Sequence, residues 1–170
     1  MARPGAGHPG RAPTVIDDVS LQQRYAPESS CFGCGPANAR GMRIGSHEGS
    51  HGELIAEWHP QPHHAAFTNV LNGGVIGTLL DCHANWAAAM YLMRERTLDG
   101  PPGCVTAEYS IKLRRPTPTD QPVYLRAWVV EAAGDRVTVD AQLLSGGKIT
   151  ATARGVFVAV GPDHPAYERW

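Results

Sequence analysis

Apolar residues recur along this chain in two rhythms, and the change between them falls near residue 75. From Val75 to Met93 the run VIGTLLDCHANWAAAMYLM is too long for a strand and apolar around most of its circumference. That pattern predicts a helix wrapped by other structure. Arg94 and Arg96 near its end complement the negative pole of the helix dipole, and Asp99-Gly100-Pro101-Pro102-Gly103 supplies a stop. After Gly103 the period falls to two. Val105, Ala107, Tyr109, Ile111 and Leu113 alternate with Thr106, Glu108, Ser110, Lys112 and Arg114, predicting one long strand ended by Pro116 and Pro118. Val123–Glu131 is the next strand. Val137, Val139, Ala141 and Leu143 alternate with polar residues in a third. Ser145-Gly146-Gly147-Lys148 carries the glycine signature of a tight hairpin, leading into a last strand over Ile149–Val160 that Gly161-Pro162 closes.

Upstream the pattern is weaker. Ile16–Tyr25 predicts a short helical turn, and Met42–Gly45 and Glu53–Trp58 predict two modest strands. A loop with Pro60, Pro62, His63 and His64 then runs to Asn72-Gly73-Gly74. Residues 1–15, rich in Pro, Gly and Arg, read as a disordered leader, 16–161 as one domain and 162–170 as a tail. No internal repeat is visible. The simplest packing of these elements is α+β: a curved antiparallel sheet wrapped around one long central helix.

Composition narrows the function. The chain has 170 residues, 42% hydrophobic and 18% charged, with a net charge of −1, which suits one domain with a sizeable core. Its arginines are scattered, so no electrostatic footprint for nucleic acid is expected. No apolar run reaches the roughly 18 residues of a membrane span, and the N-terminus lacks the apolar segment of a secretory signal. Four cysteines without framework-like spacing give no disulfide scaffold. A cytoplasmic setting is the default expectation, and no cofactor is implied.

Asp81 is the first candidate for chemistry. It is the only acidic residue between Trp58 and Arg94 and sits in the most apolar helix of the chain. A carboxylate in such a place needs a reason, and partial burial raises its pKa toward values useful in proton transfer. A structural Asp bonded to a nearby hydroxyl or amide is the plain alternative. Asn72-Gly73-Gly74 marks the N-terminus of the same helix, where free amides and the positive dipole end suit a developing oxyanion. An N-cap followed by a turn would look the same. Asp81 lies seven residues past Gly74, about 10 Å along a helix, so one small carbonyl cannot contact both. Serving one reaction centre would require a second copy of the helix, antiparallel across a twofold dimer.

The segment CFGCGPAN at 31–38, the block NVLNGGVIGTLLDCHANWAAA and the later strand TAEYSIKLRRPTP together resemble the PaaI-type acyl-CoA thioesterases of the hotdog superfamily over roughly residues 31–160. The resemblance implies the hotdog fold and hydrolysis of an acyl-CoA or acyl-carrier thioester by a homodimer that can pair again. It implies Asp81 as catalytic carboxylate, Gly73 as oxyanion-hole amide and Thr106 as a residue that helps hold the attacking water. Asn72 stands where that family usually has His; its amide can donate or cap but cannot titrate near neutral pH. Ala66 likewise replaces a residue that is polar in some relatives. Gly74, His64 and Asn85 are expected to border the substrate, and Arg114 and Arg115 to meet the phosphates of CoA. Whether Asp81 acts as a general base or attacks directly stays open at this point.

Rival readings attach to other residues. Cys31 and Cys34 form a CxxC pair, but structural zinc needs four ligands, and no second CxxC or spaced His pair follows. His47, His51, His63 and His64 have no fixed geometry, so no metal is expected. Cys82 reads as a core cysteine, His83 as a neighbour of the dimer seam or pocket, and Trp86, Met90 and Met93 as core. No G-x-S-x-G elbow supports a serine hydrolase. A hotdog dehydratase, or an acyl-thioester binding module without turnover, are the competing functions.

Overall fold

A computed structural model describes residues 18–167; the expected leader, Ile16 and the last three residues lie outside that range. The elements are α1 (Leu21–Tyr25), β1 (His47–Glu48), β2 (Leu54–Trp58), a 3-10 turn (Pro62–His64), β3 (Ala65–Phe67), β4 (Val70–Leu71), α2 (Gly73–Glu95), β5 (Cys104–Leu113), β6 (Val123–Ala133), β7 (Arg136–Ser145) and β8 (Lys148–Ala159). Six strands form one antiparallel sheet in the order β1-β2-β6-β7-β8-β5, and β3 with β4 makes a separate small ladder. The long helix α2 packs across this sheet. This is the hotdog architecture, α+β as the pattern predicts.

The chain departs from expectation where the signal was weakest. Met42–Gly45 is not a strand. Met42 and Ile44 are buried, but their amides donate to the carbonyls of Phe32 and Gly33 at 2.7 and 3.0 Å, which ties them to a loop instead. The expected helix at Ile16–Tyr25 is helical only from Leu21, behind a capping box in which Ser20 and Gln23 satisfy each other's amides. The central helix starts at Gly73 and ends at Glu95, ahead of the Pro/Gly stop, with Thr97 at a φ of 52° turning the chain away. Gly146 and Gly147, at φ of 55° and 71°, supply the left-handed pair that the β7–β8 hairpin needs.

The buried core side of α2 carries Ile76, Leu79, Leu80, Trp86 and Met90, in one cluster with Leu125, Val139, Leu143 and Phe157 of the sheet. The less buried residues Gly74, Thr78, Asp81 and Asn85 follow one another at the i, i+4, i+7, i+11 spacing of a single helical stripe. That stripe runs beside β5, the last strand in the sheet order.

His83 departs from its expected place at a seam or pocket. It is fully buried; its Nε2–H donates to the Leu54 carbonyl at 3.1 Å, and its Nδ1 accepts the Ser46 hydroxyl at 2.8 Å. Gln22 completes the network, donating to Ser46 Oγ at 3.0 Å and accepting the Ser46 amide at 2.7 Å. Burial lowers the imidazole pKa to about 4, so the ring is neutral in the fold. The unfolded chain binds the proton first as pH falls. Stability is therefore complete above about pH 6.5 and is lost from there toward pH 4, by about 2 kcal/mol at pH 5. Urea unfolding at pH 8 and pH 5 is expected to show that loss, and His83→Gln is expected to reduce it.

Candidate active site

Asp81 and Thr106 come together. The Thr106 hydroxyl donates to Asp81 Oδ1 at 2.8 Å. Strict alternation along β5 would not allow this, because it assigns Thr106 to the face opposite Tyr109, Ile111 and Leu113. Those three lie over α2: the Tyr109 hydroxyl and Ile111 Cδ1 sit 3.0 and 3.2 Å from where a Cβ on Gly77 would be, and Leu113 Cδ1 sits 3.2 Å from that position at Gly73. The pairing of β5 with β8 resolves the conflict. Thr106 pairs with Phe157 and Glu108 with Val156, so one residue of β5 has no counterpart. This β-bulge reverses the side-chain phase and aims Thr106 at the helix.

Burial is the main influence raising the Asp81 pKa; the Thr106 hydrogen bond works against it, and the Cys31 sulfur adds to the rise. The carboxylate opens on a cavity of about 470 Å³ that Asp81, Thr106, Asn85, Trp86, Cys31 and Cys82 help to line. Asn85 donates to the Cys104 carbonyl at 3.1 Å, while its buried Oδ1 has no hydrogen-bond partner. Asn85 thus offers an acceptor beside the carboxylate.

The loop after Ser30 forms the far wall. Gly33 is required there, since a Cβ would stand 2.3 Å from Cys82 Sγ and 2.9 Å from Thr78 Cγ2. Gly33→Ala is expected to lower the unfolding free energy by about 1–3 kcal/mol through overpacking, measurable by urea denaturation. The close approach brings the sulfurs of Cys31, Cys34 and Cys82 within 4.8 Å of one another. Cys82 is therefore a cavity-wall residue and not simply core. The Cys34 thiol, then that of Cys82, pull the Cys31 pKa far down, helped by the amides of Cys34 and Gly33. Cys34 is pushed up to about 12, with the Cys31 sulfur the main cause.

The remaining candidates gather at the other end of α2. Asn72 is the N-cap, its Oδ1 accepting the amides of Gly74 at 2.7 Å and Val75 at 3.4 Å. The Gly74 amide is thereby occupied. The Gly73 amide has no acceptor among the described residues. His64 holds this tip through its main chain, the Asn72 amide donating to its carbonyl at 3.0 Å. The His64 ring lies against Trp58 and His63, with centroids 4.8 and 4.1 Å away, and burial lowers its pKa. Arg114 and Arg115 are exposed near this tip, bonded to Thr152 Oγ1 at 3.2 Å and the Ile149 carbonyl at 2.8 Å. None of these residues lines the Asp81 cavity. Ala66 is exposed on β3.

Comparison with known proteins gives the family and supports the fold. The profile of the thioesterase superfamily matches residues 68–152, which is 85 of the 170 residues and includes Gly73, Asp81 and Thr106. The chain belongs to the thioesterase superfamily. A thioesterase superfamily protein from Shewanella loihica is similar at 27% identity and a TM-score of 0.59, covering 74% of this chain and 98% of its own. The PaaI protein of the phenylacetic acid degradation operon of Escherichia coli is similar in fold, at 17% identity and a TM-score of 0.62 over 74% of this chain and 85% of its own. A comparison with curated proteins found no match. Among the described residues of this thioesterase-superfamily chain, no helix is long and apolar enough to cross a membrane. The superfamily profile begins after the Cys31–Cys34 loop, so that wall of the cavity lies outside the matched region.

Proposed function

We propose that this protein hydrolyses an acyl-CoA thioester to a free acid and a thiol, in the cytoplasm, at sites shared between two copies of the chain. The observation that carries the proposal is the Thr106–Asp81 hydrogen bond of 2.8 Å at the wall of the cavity. Thr106 holds one carboxylate oxygen and leaves the other to take a proton from water. Desolvation makes that carboxylate a stronger base than a free one. Water attacks the thioester carbonyl carbon as its proton passes to Asp81. The tetrahedral intermediate then collapses with cleavage of the C–S bond, and the departing sulfur takes the proton back. This geometry favours general-base catalysis over direct attack, because the hydroxyl that holds Asp81 also borders the place where the water would sit.

The oxyanion needs a donor, and the free Gly73 amide suits it. Within one chain that amide is about 12 Å along the helix from Asp81. A second copy removes the difficulty. Among the described residues, strand β5 has a partner on one side only, and its residues Tyr109 and Leu113 are exposed. Such a long open edge is a template for pairing. A twofold dimer along β5 would bring the Gly73 tip of one helix to the Asp81 cavity of the other, with Arg114 and Arg115 beside it for the CoA phosphates. Among the described residues no histidine lines the cavity, which weighs against a dehydratase.

Thiol release from a panel of acyl-CoAs of graded chain length tests the reaction. Hydrolysis is expected; tight acyl-CoA binding with no thiol released would leave a binding module in its place. Thr106→Val is expected to lower kcat by about 10- to 100-fold, the worth of one hydrogen bond to a charged group, with Thr106→Ser close to wild type. An unchanged kcat in Thr106→Val would remove the hydroxyl from the reaction.

A further inference from the structure

We infer that Cys31, Cys34 and Cys82 form a three-thiolate zinc site whose fourth position opens to the cavity. Spacing alone offers only the CxxC pair, two ligands where zinc takes four. The fold adds a third from 51 residues away: the Cys31 and Cys82 sulfurs are 3.9 Å apart. Zinc–sulfur bonds of about 2.3 Å put tetrahedral ligands about 3.8 Å apart. All three sulfurs lie within 4.8 Å of one another, no more than about 1 Å beyond that spacing.

Three further features fit metal-bound sulfur. Gly33 leaves open the space through which Cys82 Sγ reaches the loop. Residues 31–35 form a tight turn around the first two sulfurs, the Gly35 amide donating to the Cys31 carbonyl at 2.9 Å. The indole N–H of Trp86, a fully buried residue, donates to Cys34 Sγ at 3.4 Å. A neutral thiol is a poor acceptor for a buried indole, whereas a metal-bound thiolate is a good one, and such outer partners are what orient metal ligands. The sulfurs border the same cavity as Asp81, so water can complete the tetrahedron. An oxygen ligand suits zinc and not cuprous copper, which prefers soft donors alone. Bound there, zinc would tie the loop to α2 and fix one wall of the cavity, independently of what that cavity hydrolyses.

The test uses reduced full-length protein, freed of metal by a chelator and titrated without oxygen. It is expected to take up one Co2+ per chain with sulfur-to-cobalt charge-transfer absorption, to exchange it for one Zn2+, and to unfold at a higher temperature with Zn2+ present. Cys34→Ser and Cys82→Ser are each expected to weaken zinc by at least about 100-fold, above the loss caused by removing an outer partner. Cys104→Ser is expected to retain wild-type affinity. Absence of the charge-transfer band, binding through nitrogen and oxygen ligands alone, or equal affinity in Cys82→Ser would overturn the site. If a serine variant fails to fold by circular dichroism, the wild-type cobalt spectrum decides by itself.

Discussion

Asp81→Asn is expected to cut kcat for acyl-CoA hydrolysis by about 10²- to 10⁴-fold, the usual contribution of a positioned general base. The substitution is nearly isosteric, and the Asn carbonyl oxygen can still accept the Thr106 hydroxyl that now bonds Asp81 at 2.8 Å. Folding should survive, because a partly desolvated charge is exchanged for a neutral amide. Unfolding free energy is expected to stay within about 0.5 kcal/mol of wild type, as for substitutions that leave packing and satisfied partners in place. KM should move little, since the carboxylate acts on water and not on the acyl or CoA groups. Single-turnover thiol release and urea unfolding, measured on the same preparation, check both halves. Turnover within a few fold of wild type would remove Asp81 from the chemistry.

Gly73→Pro is the second large effect. Gly73 is the first helical residue after its Asn72 cap, which already has the extended backbone, φ −63° and ψ 135°, that a following proline favours. Proline fits the first turn of a helix and lacks only the N–H. The variant therefore deletes one hydrogen and little else; its ring meets the tip of Leu113, an exposed side chain that can move. Loss of an oxyanion donor is expected to lower kcat by about 10²- to 10³-fold. Mixing carries further information. Combined in equal amounts and allowed to exchange subunits, Gly73→Pro and Asp81→Asn should regain about a quarter of wild-type activity, because half the dimers are mixed and each has one intact pair of groups. No recovery after demonstrated exchange would show that the two groups never serve a common centre across subunits.

The strong periodicities explain why so much of the architecture could be read from the chain. The helix around Asp81 and strands β5 to β8 are long enough for a rhythm to repeat, and each lies within two residues of its expected bounds. Strands β1, β3 and β4 span only two or three residues, too few for alternation to register. Met42 and Ile44 look like strand residues because they are apolar and buried, yet their backbone partners are loop carbonyls that no local pattern announces. His83 was hidden for a related reason. In an apolar helix a histidine suggests a pocket, whereas here Ser46, Gln22 and Leu54 satisfy it from distant parts of the chain.

The site was legible in its parts and not in its assembly. Asp81 stood out by its isolation among apolar neighbours. Thr106 entered only through resemblance, because simple alternation points it the wrong way and the bulge that corrects it leaves no mark in composition. The Asn72 cap could be anticipated from its residue type, but its occupation of the Gly74 amide, which singles out Gly73, needed coordinates. Convergence of Cys82 on the CxxC loop depends on how that loop docks against α2, and the one local clue was a glycine at 33.

The slip in β5 divides one ribbon into two lengths that obey opposite parities. Upstream of it, even-numbered positions look inward at the carboxylate; downstream, odd-numbered ones cover the helix tip. Drift in the downstream length can therefore reshape how the ribbon lies on the tip without turning Thr106 over. Deletion of the unpaired residue, Ala107, would restore unbroken alternation, with Thr106 and Tyr109 then two positions apart and still on one face.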